Sequence, residues 1–193
     1  MKLSQETDEN LMLRFGRGEA AAFEFLYQRH ESRVFRYLHR NVRNEANAND
    51  LMQEVWFAVA RGAANYQPTA KFTTWLLTIA HNRMVDMIRA NARLQSLDAV
   101  DDADLEGSSL LDRLAADGKL EPPAQVQRQH EAAALLLAVA QLPPEQRSAF
   151  LLQAEGELSV EEIADATGSN FETVKSRLRY ARAKLRQLLW EYS

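Results

Sequence analysis

The stretch "EEIADATGSNFETVKSRLRYARAKL" (161–185) decides how the rest of this chain is read. Ala164 is followed four residues later by Gly168, and Val174 comes six residues after that. A small residue lets two helices touch, a glycine takes the positive φ of a tight turn, and an apolar residue closes the inner face of the pair. Two helices, 160–167 and 171–189, joined through Gly168 therefore have helix-turn-helix spacing. Ser159 with Glu162, and Ser169 with Glu172, make capping-box patterns at the two helix starts. Val174, Leu178, Ala181, Leu185 and Leu188 form an apolar stripe along the second helix, and Ile163 joins it from the first. Lys175, Arg179, Arg182 and Arg186 recur on a different face.

Net charge hides this pattern. The 193 residues carry a formal −4, but residues 171–193 hold six basic and two acidic side chains. Residues 129–170 hold one basic and seven acidic, 96–128 hold three and eight, and 1–95 hold thirteen and ten. An acidic whole with local basic surfaces points to contact with a polyanion. The bland alternative is a helical bundle with a solvated basic face. The Ala–Gly–Val spacing and the charge step at residue 171 favour DNA, with the second helix entering a groove.

Working outward, no β pattern and no internal repeat occurs, so the fold class expected is all-α. Phe23, Leu26, Tyr27, Val34, Tyr37 and Leu38 fall at helical spacing and predict a long helix over 19–42, set off from a short one by Gly16 and Gly18. A second helix is expected over 46–60 with Asn47 or Asn49 as N-cap, then a loop over 61–71, then a helix over 72–92. Residues 96–127 are acidic and contain Gly107, Gly118 and the pair Pro122–Pro123, which reads as a flexible linker with a helical turn near 110–115. A helix over 131–142 and another from Pro143–Pro144 to about 154 lead into the helix-turn-helix. The organisation expected is two small helical domains, 1–95 and 128–193, joined by the linker 96–127.

Composition excludes several chemistries. The sequence has no cysteine, so it has no disulfides, thiolate metal sites or cysteine nucleophile. The opening "MKLSQETDEN" is polar and acidic, unlike a signal peptide, and the apolar run 132–140 is too short for a bilayer. A soluble, cytoplasmic protein without membrane insertion is expected. His30, His39, His81 and His130 show no metal-ligand spacing. His81 is expected to face DNA and the other three to lie on helix surfaces. No P-loop, GxGxxG or nucleophile motif occurs. No metal, no cofactor and no catalytic activity are expected.

Three segments, taken in order, carry a more specific likeness: "DLMQEVW" (50–56), "FTTWLLTIAHN" (72–82) and "ETVKSRLRYAR" (172–182). Together they resemble the extracytoplasmic-function (ECF) sigma factors of bacterial RNA polymerase, over about residues 10–189. The resemblance implies two helical domains, commonly called 2 and 4, that direct core polymerase to promoters. It implies that Asp50, Gln53, Glu54 and Phe57 dock on the polymerase β′ clamp, with Leu51 and Val55 in the core, and that the β flap is also a partner. It implies that loop 61–71 and the next helix open the minus-10 element. There Tyr66, Phe72 and Trp75 offer stacking surface, while Lys71, His81, Asn82, Arg83 and Arg89 meet backbone or base edges. Asn82, Asp86, Arg89 and Arg93 make a polar stripe on that helix. By the same likeness Thr173, Lys175, Ser176, Arg177, Arg179, Tyr180 and Arg182 read the minus-35 major groove. The family is often held inactive by an anti-sigma factor. Its linker threads toward the active centre, where the eight carboxylates between 98 and 121 act either as an RNA mimic or as a soluble tether.

One departure stands out. The family often carries acidic residues before "DLxQE"; here Asn47 and Asn49 stand there and lower the charge offered to the clamp. Two rival readings are an autonomous helix-turn-helix regulator with an N-terminal helical domain, and an interaction module that sequesters a sigma factor or polymerase. Only the sigma reading uses the pair "DLMQE" and "FTTWL".

Overall fold

The computed structural model describes residues 3–97 and 123–190, with side chains at 3–94 and 130–190. Eight α-helices occur among them: α1 Asp8–Gly16, α2 Ala20–Val42, α3 Glu45–Gly62, α4 Phe72–Leu97, α5 Pro123–Ala140, α6 Pro144–Gly156, α7 Val160–Thr167 and α8 Phe171–Trp190. Short 3-10 turns at Leu3–Gln5 and Ala63–Asn65 complete the order, and no strand occurs among the described residues. The helical turn expected at 110–115 lies outside them.

The N-terminal group, α1–α4, packs around Leu26, Val34, Leu38, Leu51, Val55, Val59, Phe72 and Leu76, all buried. Phe15, Phe23, Tyr27 and Trp56 interlock at one end, with Phe23 edge-on to Trp56 at 5.6 Å between ring centres. Gly16 is a close-approach glycine as well as a helix end, because a Cβ there would run into the Ala63 carbonyl oxygen. Gly18, at φ 97, makes the reversal into α2. His30 is buried and pairs through Nε2 with Asp8 at 2.7 Å, so it belongs to the core of this group and not to a helix surface.

Several helix starts differ from expectation. The cap of α3 is Asn44, not Asn47 or Asn49: its backbone is extended and its side chain accepts from the Asn47 N–H at 2.9 Å. α5 begins eight residues before the expected 131, at Pro123, where proline suits a first helical turn. α8 is capped by Asn170, whose Oδ1 accepts from the Thr173 N–H at 2.8 Å. Ser169 is engaged elsewhere, accepting from Arg177 Nη1 at 2.8 Å.

The two helical groups dock on one another. α6 lies against α2 and α7 lies against α4. Arg36 Nε meets Glu155 at 2.8 Å, Arg40 binds the same carboxylate, and Arg33 reaches Glu157 at 3.3 Å. Arg147, nearly buried, donates to the Asn41 carbonyl at 3.0 Å and to the carbonyls of Ala140 and Leu142 at 3.1 and 3.4 Å. It thereby ties the end of α5 to the end of α2. Gly156 packs directly on Leu77 and Leu158, which carries apolar contact across the seam. The uneven charge of the sequence has a structural use here: carboxylates of the acidic segment 129–170 meet arginines of the basic first half.

Candidate nucleic-acid and polymerase interface

Within the helix-turn-helix, Ser159 Oγ accepts from the Glu162 N–H at 3.2 Å while Glu162 Oε2 accepts from the Ser159 N–H at 2.8 Å. This completes the expected capping box. Gly168 sits at φ 61 in the left-handed region, and the Ser169 N–H donates to the Ala164 carbonyl at 3.0 Å, closing the turn. Ile163, Val174, Leu178, Ala181, Leu185 and Leu188 are all buried, as their spacing requires. The other face of α8 is therefore held outward by its own apolar stripe.

On that outer face Lys175, Arg179, Tyr180, Arg182 and Arg186 are exposed. Lys175 lies over the Phe171 ring at 5.7 Å and 3.7 Å from Glu172; the Arg179 guanidinium lies over Tyr180 at 4.9 Å. These contacts stiffen long side chains without neutralising the row. Thr173 and Ser176 are half-buried at its edge. Arg182 turns back to Gln153 at 2.6 Å. Arg177 departs most from expectation, since it pairs with Glu145 of α6 and Ser169 and faces the seam.

The second candidate surface lies at the start of α4. Phe72 is fully buried and Tyr66 nearly so, so neither offers a stacking face in this arrangement. The Phe72 N–H donates to Glu9 Oε1 at 2.7 Å, which caps α4 from α1. Burial, with Glu9 and Asp8 nearby, pushes the Tyr66 hydroxyl up to about 12. Trp75 is half-buried, edge-on to Tyr66 at 5.0 Å; a Cβ on Gly62 would come within 3.2 Å of its ring. It is the one aromatic of the three with part of its ring in solvent. Asn82, Asp86, Arg89 and Arg93 are exposed, Arg83 is half-buried, and Lys71 is exposed with its ammonium 3.5 Å from Glu162.

His81 does not face outward. Its Nδ1 is 3.0 Å from the Tyr37 hydroxyl and 3.2 Å from Ser148 Oγ, and those two oxygens are 3.0 Å apart. Burial, with Arg177 and Arg89 nearby, holds its pKa below the ordinary value. Burial pushes the Tyr37 hydroxyl far upward. The helix α4 carries an inner row as well as the polar stripe read from sequence, and the inner row meets the C-terminal group. Thr74, in that row, donates to Glu162 Oε1 at 2.8 Å. The Ser159 backbone N–H, with Thr74 and Lys71, holds the Glu162 carboxyl below its usual range against the opposing effect of burial.

The third surface is on α3. Leu51 and Val55 are buried, while Asp50, Gln53, Glu54 and Phe57 are exposed in one row, with Phe57 65% exposed. The row sets one apolar ring beside two carboxylates and an amide on a single open helix face. Asn49 is exposed beside the row and Asn47 is half-buried, accepting no part of the cap that the sequence suggested.

The seam residues escaped the sequence reading. Tyr37, Arg147, Ser148 and Glu155 meet partners more than a hundred residues away or nearly so, and no local pattern announces that. The α2 arginines find their carboxylate partners at Glu155 and Glu157, far along the chain. Among the described residues no cluster of histidine, aspartate and glutamate could hold a metal ion, and no helix is long and apolar enough to cross a membrane.

Comparison with known proteins matches Sigma-70 region 2 to residues 26–94 and Sigma-70 region 4 to residues 132–185. The chain is 35% identical to RNA polymerase sigma factor CarQ of Myxococcus xanthus, over 93% of this chain and 96% of that protein. It is also 35% identical to ECF RNA polymerase sigma factor SigE of Mycolicibacterium smegmatis, over 91% of this chain and 66% of that protein. In fold it is similar to sigma factor RpoE solved with the anti-sigma factor NepR from Bartonella quintana. That match has a TM-score of 0.67 at 22% identity and covers 86% of this chain and 96% of that one.

Proposed function

The chain belongs to the sigma-70 family and is an ECF RNA polymerase sigma factor, and from that premise we propose how its surfaces divide the work. Residues 1–95 act as domain 2 and 128–193 as domain 4. The α3 row Asp50, Gln53, Glu54 and Phe57 docks on core polymerase, and the outer face of α8 reads the minus-35 duplex. Asn82, Arg83, Arg89 and Trp75, with Lys71, serve the minus-10 element. The observation that carries this reading is the open α3 row on a helix whose opposite face is fully packed. Such a protein supplies recognition and leaves the chemistry to polymerase, acting in the cytoplasm; an anti-sigma factor is a further partner class.

Elements at minus-10 and minus-35 lie about 25 base pairs apart, roughly 85 Å along B-DNA. A compact body of this length has a radius of gyration of about 16 Å and is roughly 40 Å across. The docked arrangement cannot reach both elements, so the groups must separate on promoter DNA. The 25 residues between Leu97 and Pro123 permit this, since an extended chain covers about 3.3–3.6 Å per residue. Arg177 and His81 then leave the seam and become available.

The test is gel filtration with sigma-free core polymerase. The wild type co-elutes, and the variant with Asp50→Ala, Gln53→Ala and Glu54→Ala does not. Failure of the wild type to co-elute, while it still binds duplex DNA, would move the autonomous regulator to first place.

A further inference from the structure

A cleft of about 190 Å³ opens along the seam. α4 supplies His81 and Arg89 to its wall, α6 supplies Glu145 and Ser148, and the turn and α8 supply Ser169 and Arg177. We propose that this cleft binds a small multivalent oxyanion of the phosphate class, held between Arg89 of the N-terminal group and Arg177 of the C-terminal group.

The donor set fits such a ligand. Arg177 is already fixed by Ser169 at 2.8 Å, so its guanidinium is aimed before any ligand arrives. A guanidinium fork takes phosphate and carboxylate oxygens alike. Glu145 now occupies that fork, but its side chain is 72% exposed, so its carboxylate is held from the solvent side and is weakly retained. A doubly charged anion can displace it, and the freed carboxylate regains full hydration outside. Arg89 is exposed and has no ion pair among the described residues. Burial foremost, with Arg177 and Arg89 adding to it, favours the neutral form of His81, so the positive charge of the cleft rests on the two arginines. Ser148 and Ser169 add hydroxyls, and the volume admits a phosphate or pyrophosphate with water.

A ligand here touches both helical groups, so it binds the docked chain more tightly than the separated one and shifts the population toward docking. Its effect on initiation, as a brake, rests on the sigma reading; the binding itself does not.

The experiment uses the full chain and inorganic pyrophosphate, titrated calorimetrically at constant ionic strength against a sodium chloride control. Saturable binding is expected in the wild type, weakened at least about tenfold in Arg89→Gln and in Arg177→Gln. The variant Lys175→Gln with Arg179→Gln, on the outer row of α8, keeps wild-type affinity. No saturable heat above the salt control would overturn the proposal, as would an equal loss in the outer-row variant. Displacement of pyrophosphate from the Arg89-dependent site by a short duplex of unrelated sequence would assign the site to nucleic-acid phosphate instead. Because polymerase is absent from this titration, its outcome is independent of the co-elution result.

Discussion

Two rows of positive charge run along helices of this chain and meet opposite fates. On α2, Arg33, Arg36 and Arg40 end on Glu155 and Glu157 of α6. On α8, Lys175, Arg179 and Arg186 point into solvent, braced mainly by rings and a neighbouring glutamate. Both rows have helical spacing and would look equally fit for a polyanion in isolation. What separates them is the opposing surface: the α2 row faces a segment dense in carboxylates, while among the described residues the α8 row meets no carboxylate of another helix and only Arg182 turns back, to Gln153. A row already neutralised holds the molecule shut; a row left open waits for a partner.

The largest expected effect comes from the seam. Arg147→Ala removes a nearly buried donor from three carbonyls. The loss should be about 3 kcal/mol in urea unfolding, because buried acceptors are left without partners. Gly16→Ala should cost about 1–3 kcal/mol by the same measurement, since its Cβ meets backbone and not a mobile side chain. Glu155→Gln removes the charge that neutralises Arg36 and Arg40. Small-angle scattering should show the radius of gyration rising above about 16 Å, with a smaller loss of about 1–2 kcal/mol because both arginines regain water. An unchanged radius would mean that the α2 row does not hold the seam.

Acid should loosen the same seam. The docked His81 is held below its ordinary pKa of 6.5, so a released ring takes the proton first. The stability given by the neutral ring is complete above 6.5 and is lost as pH falls through the lower docked value. Docking measured by scattering should therefore be weaker at about pH 5.5 than at about pH 7.5, and His81→Gln should flatten that difference. The smallest stability effect belongs to the open row. Arg179→Ala should change unfolding by less than about 0.5 kcal/mol. If it meets a phosphate, it should lower the salt slope of minus-35 duplex binding by about 0.9.

Local chemistry made much of the C-terminal group legible. The turn glycine, the Ser159 box and the five-residue apolar stripe of α8 depend on residues within one or two helical turns of each other. The family resemblance places Leu51 and Val55 in the core, and both are buried. The cap of α8 was misplaced by one residue because serine and asparagine both cap helices well. Arg177, which a distant glutamate draws off, decided the contest. His81 and Phe72 lie inward in the docked chain for a related reason: α4 is long enough to carry an outward polar stripe, a buried root and an inner row that meets α6 and α7. Sequence spacing identifies helical faces, but only the fold says which face is covered.

The most direct test exploits the absence of cysteine from the sequence. Single cysteines at two exposed positions, Ala60→Cys beside the α3 row and Lys184→Cys on α8, would carry a donor and an acceptor dye. Energy transfer between them is then measured in the free chain and with core polymerase. Docking followed by polymerase-driven separation gives high transfer in the free chain and a marked fall on adding core. Low transfer in the free chain, or high transfer that persists in a complex initiating at its promoter, would contradict it.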